Sequence, residues 1–365
     1  MIYLIGVGAA GNKAAIKALE LEVVDESHMT LINSTEKDIP NDYKEHAIII
    51  GDNLKGCGKE RKIARNAIKN YLQVNNIFKI PEDVDRVVIV TSVEGGTGSG
   101  STPLLAKYIR DSLKKNTSIF AFTGFETDSR GLKNTIEFMK ELDSRTTIQI
   151  LSNKKFLEEA NNNYIKAQEL ANIEFCKRIL IMSGTILEDT DQNIDDTDLH
   201  KLVDAFGLMD ITYMDIDGPL KNIETFDKIC SKMVDESKSI DFTPTASRLG
   251  VVFNGKVLNN DSIDYGYRIF KSKYGEPFEV YTHLQENTSY KKEFLACIAS
   301  GMKLPIDEIQ RIYDEYMERT SKISKDKDSF FELINLFEES EEDDIFDMQL
   351  KPDDKISKED FFRDL

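Results

Sequence analysis

The sequence predicts an α/β protein: a mainly parallel sheet flanked by helices, joined by a long central helix to a smaller α+β domain. A C-terminal helix and an acidic tail follow. Three observations carry this expectation. Short apolar runs alternate with helical patterns through the first half. Two of those runs end in glycine-rich turns that open helices. Near residue 187 an acidic break interrupts the pattern, and a second group of runs begins after it. A chain of 365 residues is also too long for one small core and suits two domains of ordinary size.

Taken in order, the strand candidates of the first half are Ile2–Gly6, Thr30–Asn33, Ala47–Ile50, Arg86–Thr91, Ile119–Thr123 and Thr146–Leu151. Each is followed by a turn rich in Gly, Asn, Ser or Thr. In such a sheet ligands bind beyond the carboxyl ends of the strands, so those turns are the place to seek a site. A helix is expected over Asn162–Leu187, where Leu170, Ile173, Leu180 and Leu187 fall near helical spacing. Past the break, a helix is expected from about Leu199, with others near 222–238 and 259–272. Strands are expected at Arg248–Leu258, Phe278–His283 and Glu293–Met302. From Pro305 the stripe Ile306, Ile309, Ile312, Tyr316 and Phe330, Phe331, Ile334, Phe337 marks one or two charged helices. Residues 338–365 are acidic with isolated aromatics, and like charges with little apolar surface predict disorder.

Composition narrows the function. Net charge is −18, from 65 acidic against 47 basic residues, which argues against a chain that wraps nucleic acid directly. Small anions held by backbone N–H groups remain compatible with that charge. Cys57, Cys176, Cys230 and Cys297 are far apart and never form a CxxC pair, so neither a zinc site nor a disulfide framework is expected. The four histidines are scattered and support no metal site. Met1–Ile5 reads as a strand without a cationic leader, and no apolar run approaches the ~18 residues of a membrane span. The expected setting is the cytoplasm, without membrane attachment.

The first glycine turn is Gly8-Ala9-Ala10-Gly11-Asn12, preceded by Gly6 and Val7 at the end of a strand. Glycines let the backbone approach an anion, and a helix N-terminus offers unpaired N–H groups with a favourable dipole. Alone this spells the dinucleotide fingerprint, so an NAD-binding Rossmann oxidoreductase is an alternative of a different class. That fingerprint expects a carboxylate at the end of the next strand, where this chain has Asn33-Ser34-Thr35. The second turn is Gly95-Gly96-Thr97-Gly98-Ser99-Gly100, between the strand Val87–Thr91 and a helix expected to begin at Pro103. Successive N–H groups there can converge on phosphate oxygens. It is not a Walker A loop, since no Gly-Lys-Ser/Thr closes it. Nor is it a linker, which would not sit between a Val/Ile strand and an amphipathic helix.

This second turn resembles the tubulin signature GGGTGSG, with Glu94 in place of the first glycine. Gly8–Asn12 resembles the first nucleotide loop of the tubulin/FtsZ superfamily, Asn33 and Ser34 the second, and Gly56-Cys57-Gly58 (after Leu54 and Lys55) the third. Glu126 and Arg130 keep the spacing of the Glu and Arg in the fifth loop of FtsZ. Asn153 and Asn172 match asparagines that read ribose and guanine in that superfamily. Thr35 replaces an acidic residue, and Gln168 stands where an aromatic often lies under the base, which leaves stacking to Tyr164. Lys59, Glu60, Arg61 and Lys62 read as solvated helix-start charges. By motif the resemblance covers residues 1–210, and by element order the rest.

Asn193-Ile194-Asp195-Asp196-Thr197-Asp198 fits the family's Asn-x-Asp-x-x-Asp, the loop that enters the next subunit's nucleotide site. A plain acidic helix cap would read the same way. The resemblance implies a nucleotide-binding, Rossmann-like GTPase domain over 1–171, a central helix and catalytic loop over 172–198, and a second domain over 199–304. A C-terminal helix over 305–337 and the tail over 338–365 complete it. It also implies GTP/GDP with Mg2+, head-to-tail self-association into filaments, and hydrolysis assisted by Asn193, Asp195 and Asp198. The acidic tail and long C-terminal helix resemble TubZ-type proteins, which move plasmid or phage DNA through a small DNA-binding adaptor held at the C-terminal region. FtsZ-like cell division is the alternative.

Overall fold

A computed structural model of the chain describes residues 1–51, 55–74, 80–188, 190, 193–216, 223–255, 260–286 and 292–337, with side chains described outside 223–225, 260–265 and 323–337. Leu54 and the acidic tail lie outside the described residues. The first six strands are β1 (Ile2–Val7), β2 (Met29–Asn33), β3 (Ala47–Ile49), β4 (Arg86–Ser92), β5 (Asn116–Thr123) and β6 (Thr147–Ser152). All of them pair in parallel, in the order β3-β2-β1-β4-β5-β6. Their near-continuous apolar composition suits a sheet covered on both faces, and two buried clusters do cover it.

The second half joins the same sheet. It contributes β7 (Gly207–Ile216), β8 (Arg248–Asn254), β9 (Glu279–Gln285) and β10 (Glu293–Met302), extending the order as β6-β7-β10-β8-β9. The junction is narrow: β6 meets β7 only at Thr147–Gly207 and Ile148–Leu208. Strand β10 is antiparallel to both of its neighbours. Strand β7 was not among the sequence candidates. Asp210 and Asp215 interrupt its apolar alternation, and the first of them is buried for a structural reason.

That reason is Arg178, on the central helix α6 (Tyr164–Ser183). Its guanidinium is fully buried, with Nη1 donating to Asp210 Oδ1 at 2.8 Å and to Ser239 Oγ at 3.0 Å. Tyr274 donates its hydroxyl to the other Asp210 oxygen at 2.9 Å. A buried charge is tolerable only when paired and hydrogen-bonded, so helix, strand and the start of the second half are locked to one carboxylate.

Two helices begin inside the glycine turns rather than after them. Helix α1 (Gly8–Glu20) starts at Gly8, and α3 (Gly96–Asp111) starts at Gly96, which puts Pro103 well inside a helix instead of at its beginning. The proline lacks the N–H that would bond the carbonyl of Ser99. Arg61 of α2 (Arg61–Val74) supplies the missing donor, its Nη2 reaching Ser99 O at 3.0 Å. Arg61 is therefore buried and paired with Glu137 and Glu141, not solvated. The remaining helices are α4 (Ser129–Lys140), α5 (Asn153–Glu159), α7 (Asp196–Val203), α8 (Ile223–Asp235), α9 (Asn260–Tyr274) and a single long α10 (Ile306–Phe337). Among the described residues no helix is long and apolar enough to cross a membrane.

Two of the turn glycines serve packing. A Cβ at Gly11 would overlap the Val90 carbonyl, and one at Gly100 would overlap the Arg61 carbonyl. Each lets a helix lie directly on its neighbour. Gly11→Ala should therefore destabilise the nucleotide-free fold by about 1–3 kcal/mol, read from urea denaturation. Asp210→Ala should cost about 3–5 kcal/mol by stranding the Arg178 charge, and a wild-type midpoint would contradict the role given to that pair.

Candidate functional site

Beyond the carboxyl ends of β1, β2 and β4 lies a cleft of about 410 Å³. Gly8, Ala9 and Ala10 line one wall, Gly95, Gly96, Thr97 and Gly98 the second, and Gly56, Cys57 and Gly58 the third. Asn33 and Ser34 close it from the end of β2. Gly8 has φ +75, and a Cβ there would stand 3.1 Å from the Gly98 N, so the two turns meet backbone to backbone. Ser34 Oγ and Thr97 Oγ1 share a hydrogen bond of 2.8 Å that ties β2 to the second turn.

The donors suit a polyanion. The residues preceding α1 and α3, Val7 and Gly95, make no side-chain cap, and neither helix has an acidic residue in its first turn. Two sets of first-turn N–H groups and two positive dipole ends are thereby left to a ligand. Lys55 of the third loop lines the cleft too, as do Lys37 and Asp38, to which no motif pointed. The chain lacks a carboxylate at Thr35, but Asp38, exposed at the end of a one-turn 3₁₀ helix, Glu36–Asp38, lines the cleft nearby. Its Oδ2 accepts from Asn33 Nδ2 at 3.4 Å.

Other sequence candidates fall outside this cleft. Ser99 is buried and donates its hydroxyl to the Gly95 carbonyl. Asn12 is buried, donating to Ile32 O at 3.3 Å, and its Oδ1 has no hydrogen-bond partner among the described residues. Asn153 opens α5, and its Oδ1 is likewise buried without a partner there. Asn172 and Gln168 line a second depression of about 690 Å³ with Lys13, Ile16 and Lys17. Helix α1 thus borders both hollows, its first turn one and its later turns the other. Tyr164 packs edge-on against Phe125 at 4.8 Å and lines neither. Arg130 pairs with Glu60, and Glu126 with Arg311 of α10, so both are engaged by protein groups away from the cleft wall. Among the described residues, the group spaced to hold a cation is Glu26, Glu45 and His46, none of which lines the cleft.

The acidic loop lies elsewhere. Asp195 caps α7, its Oδ1 accepting the Asp198 N–H at 2.8 Å. Asn193 and Asp195 are exposed, while Ile194 is buried and donates its N–H to His283 Nδ1 at 3.1 Å. Just past α7, Asp204 accepts from Arg86 Nε at 3.0 Å and from Asn116 Nδ2 at 3.1 Å. Those are the first residues of β4 and β5. The cleft opens beyond the last residues of β4, so Asp204, at the far end of α7 from Asp195, lies a strand length of roughly 20 Å from it.

Residues 1–161 match the family described as "Tubulin/FtsZ family, GTPase domain". The cell division protein FtsZ 1 of Methanocaldococcus jannaschii is 26% identical over 212 residues, which is 57% of this chain and 57% of that protein. The tubulin-like protein CetZ of Thermococcus kodakarensis is 26% identical over 221 residues, 56% of each. The matched region thus spans a little over half the length of these relatives. In fold, the chain is similar to TubZ of Clostridium botulinum phage c-st, with TM-score 0.66 and 20% identity, over 88% of this chain and 98% of that one. It is also similar to a GTPγS-form protofilament of Bacillus thuringiensis serovar israelensis TubZ, with TM-score 0.71 and 16% identity, over 89% and 94%. The cleft between two uncapped helix N-termini lies wholly within residues 1–161, the part of the chain that matches the tubulin/FtsZ GTPase domain family.

Proposed function

We propose that the chain binds GTP in the glycine-lined cleft, assembles head to tail, and hydrolyses GTP where two subunits meet. The observation that carries this reading is the separation of the two halves of the chemistry. The anion-binding turns line the cleft beyond β1, β2 and β4, whereas Asn193, Asp195 and Asp198 line none of it, and their loop is held instead to His283 of β9 in the second half of the sheet. A carboxylate outside the lining of the cleft cannot act on a phosphate held there in its own subunit. Stacked head to tail, one subunit's loop meets the next subunit's cleft. Such heterologous contacts do not close, so they generate filaments.

In that arrangement the first turns of α1 and α3 hold the phosphates through backbone N–H groups. The Asp195 carboxylate is fixed by its bond to the Asp198 N–H, which holds it rigid at the start of α7. Asp195 and Asp198 orient a water for attack on the γ-phosphorus and receive its proton, while the bond to the β-phosphate oxygen breaks to leave GDP. Mg2+ would supply charge neutralisation on the phosphates, and Asp38 is the cleft carboxylate suited to hold it.

The finer reading is movement of plasmid or phage DNA through a small adaptor at the C-terminal region. It is supported by the 32-residue α10, by the acidic residues that follow it in sequence, and by the likeness to TubZ folds. An acidic segment suits a basic adaptor electrostatically. The match in sequence to FtsZ 1 keeps a division role as the second reading.

Asp195→Ala and Asp198→Ala should each lower GTP turnover by about 10²–10⁴-fold while leaving GTP affinity and GTP-dependent pelleting intact. Full turnover in both variants would falsify the shared site. Pelleting that ignores nucleotide in the wild type would overturn the filament reading itself.

A further inference from the structure

Glu94 occupies the position where the tubulin signature has its first glycine, and its side chain is buried where three segments meet. Gly124 and Gly131 leave the slot that holds it. A Cβ on Gly124 would overlap the carboxylate, and one on Gly131 would stand 3.0 Å from it. The Glu126 N–H donates to Glu94 Oε1 at 3.0 Å. Asn134 Nδ2 bridges the Glu94 carbonyl at 2.9 Å and the Lys59 carbonyl at 3.0 Å, bringing in the third cleft wall.

Glu126 is itself held in an unusual state. Its φ of +54 is left-handed, a conformation that non-glycine residues adopt only when their surroundings impose it. Its carboxylate accepts from Arg311 Nη1 at 3.2 Å and Nη2 at 2.5 Å. Arg311 belongs to α10, where Glu308 and Glu315 also hold its guanidinium at 2.8 and 3.0 Å. A line of contacts thus runs from α10 through Arg311, Glu126 and Glu94 to Gly95, the residue that precedes α3.

We propose that Glu94 is a positioning residue for the nucleotide cleft, and that through Glu126 and Arg311 it ties nucleotide affinity to the docking of helix α10. This rests on the reading of the cleft as a GTP site. With Arg311 seated, the 124–128 segment holds Glu94 and so the start of α3; with Arg311 released, the segment can relax and the turn loses its brace. Coupling of this kind is reciprocal, so bound nucleotide must favour a docked α10 to the same degree.

Charge adds a second handle. Burial pushes the Glu94 carboxyl up to about 7, opposed by the hydrogen bond from the Glu126 backbone and by Lys59, and reinforced by the negative charges of Asp128 and Glu126. The other charged groups around it are Glu60 with Arg130 of α4, Lys154 of α5 on Glu126, and Arg311 of α10. Phosphate at Gly95–Gly98 repels an ionised Glu94 and favours the protonated form. Affinity attributable to this residue is therefore highest below pH 7 and falls as pH rises through it.

The test is GTP affinity of the full chain, by fluorescence titration with a non-hydrolysable analogue at concentrations too low for assembly. Arg311→Met should weaken binding at least about 5-fold in the wild-type background and less than about 2-fold in Glu94→Gly. Glu94→Gln should keep the wild-type affinity of pH 6 and lose the part of the pH profile that the ligand's own phosphates do not supply. Equal losses in both backgrounds, or a Glu94→Gln profile identical to wild type, would overturn the proposal. If Glu94→Gly does not fold, the Glu94→Gln profile decides. Wild type that binds no GTP sinks the reading of the cleft, whereas GTP binding that Arg311→Met leaves unchanged sinks only the coupling.

Discussion

Parallel strand direction is the constraint on which the rest of this molecule depends. Six neighbouring strands run the same way, so the start of each following helix is delivered to one edge of the sheet. Two of these helices, α1 and α3, begin in glycine turns without a capping side chain, and their unpaired N–H groups gather at that edge. The same direction places Arg86 and Asn116, with Asp204 against them, at the opposite edge. One edge therefore gathers backbone N–H donors, and the other carries the Arg86–Asp204 ion pair. Polarity of this sort belongs to the backbone before any side chain is chosen.

The second half would be poorly anchored by its strands alone, since β6 and β7 share two residue pairs. Helix α6 makes up the deficit by burying Arg178 against Asp210, Ser239 and Glu174. A buried ion pair is a costly fastener compared with apolar packing, but it is strict about geometry. Helix α10 adds a second fastening at the other face, through Arg311 and Glu126. Helix α6 leads toward the acidic loop, and α10 reaches Glu126, so both fastenings are made by long helices.

Much of the architecture was legible in the residues. Val87–Val90 could hardly be other than a buried strand, and glycines at 95, 96, 98 and 100 announced a turn that approaches its neighbours closely. What stayed hidden had physical causes. Strand β7 carries Asp210 because Arg178, distant in sequence, neutralises it, and alternation cannot reveal a partner. Spacing cannot separate Gly8, which faces the cleft, from Gly11, which only lets α1 rest on β4. Asp38 escaped because a 3₁₀ turn, not a motif, places it at the cleft. Glu126 and Arg130 keep a familiar spacing, yet each is taken up by a charge from elsewhere, Arg311 and Glu60.

Pro103 leaves a further mark. Inside α3 it strips the Ser99 carbonyl of its helical donor, and Arg61 fills the place from a different helix. The two residues consequently have an order of loss. Replacing the proline first restores an N–H and makes the arginine's bond dispensable. Losing the arginine first leaves a buried acceptor with nothing to satisfy it, at a cost of roughly 1–3 kcal/mol. Descendants of this chain should thus shed Arg61 only after Pro103 has gone, and the pair should be inherited together in the meantime.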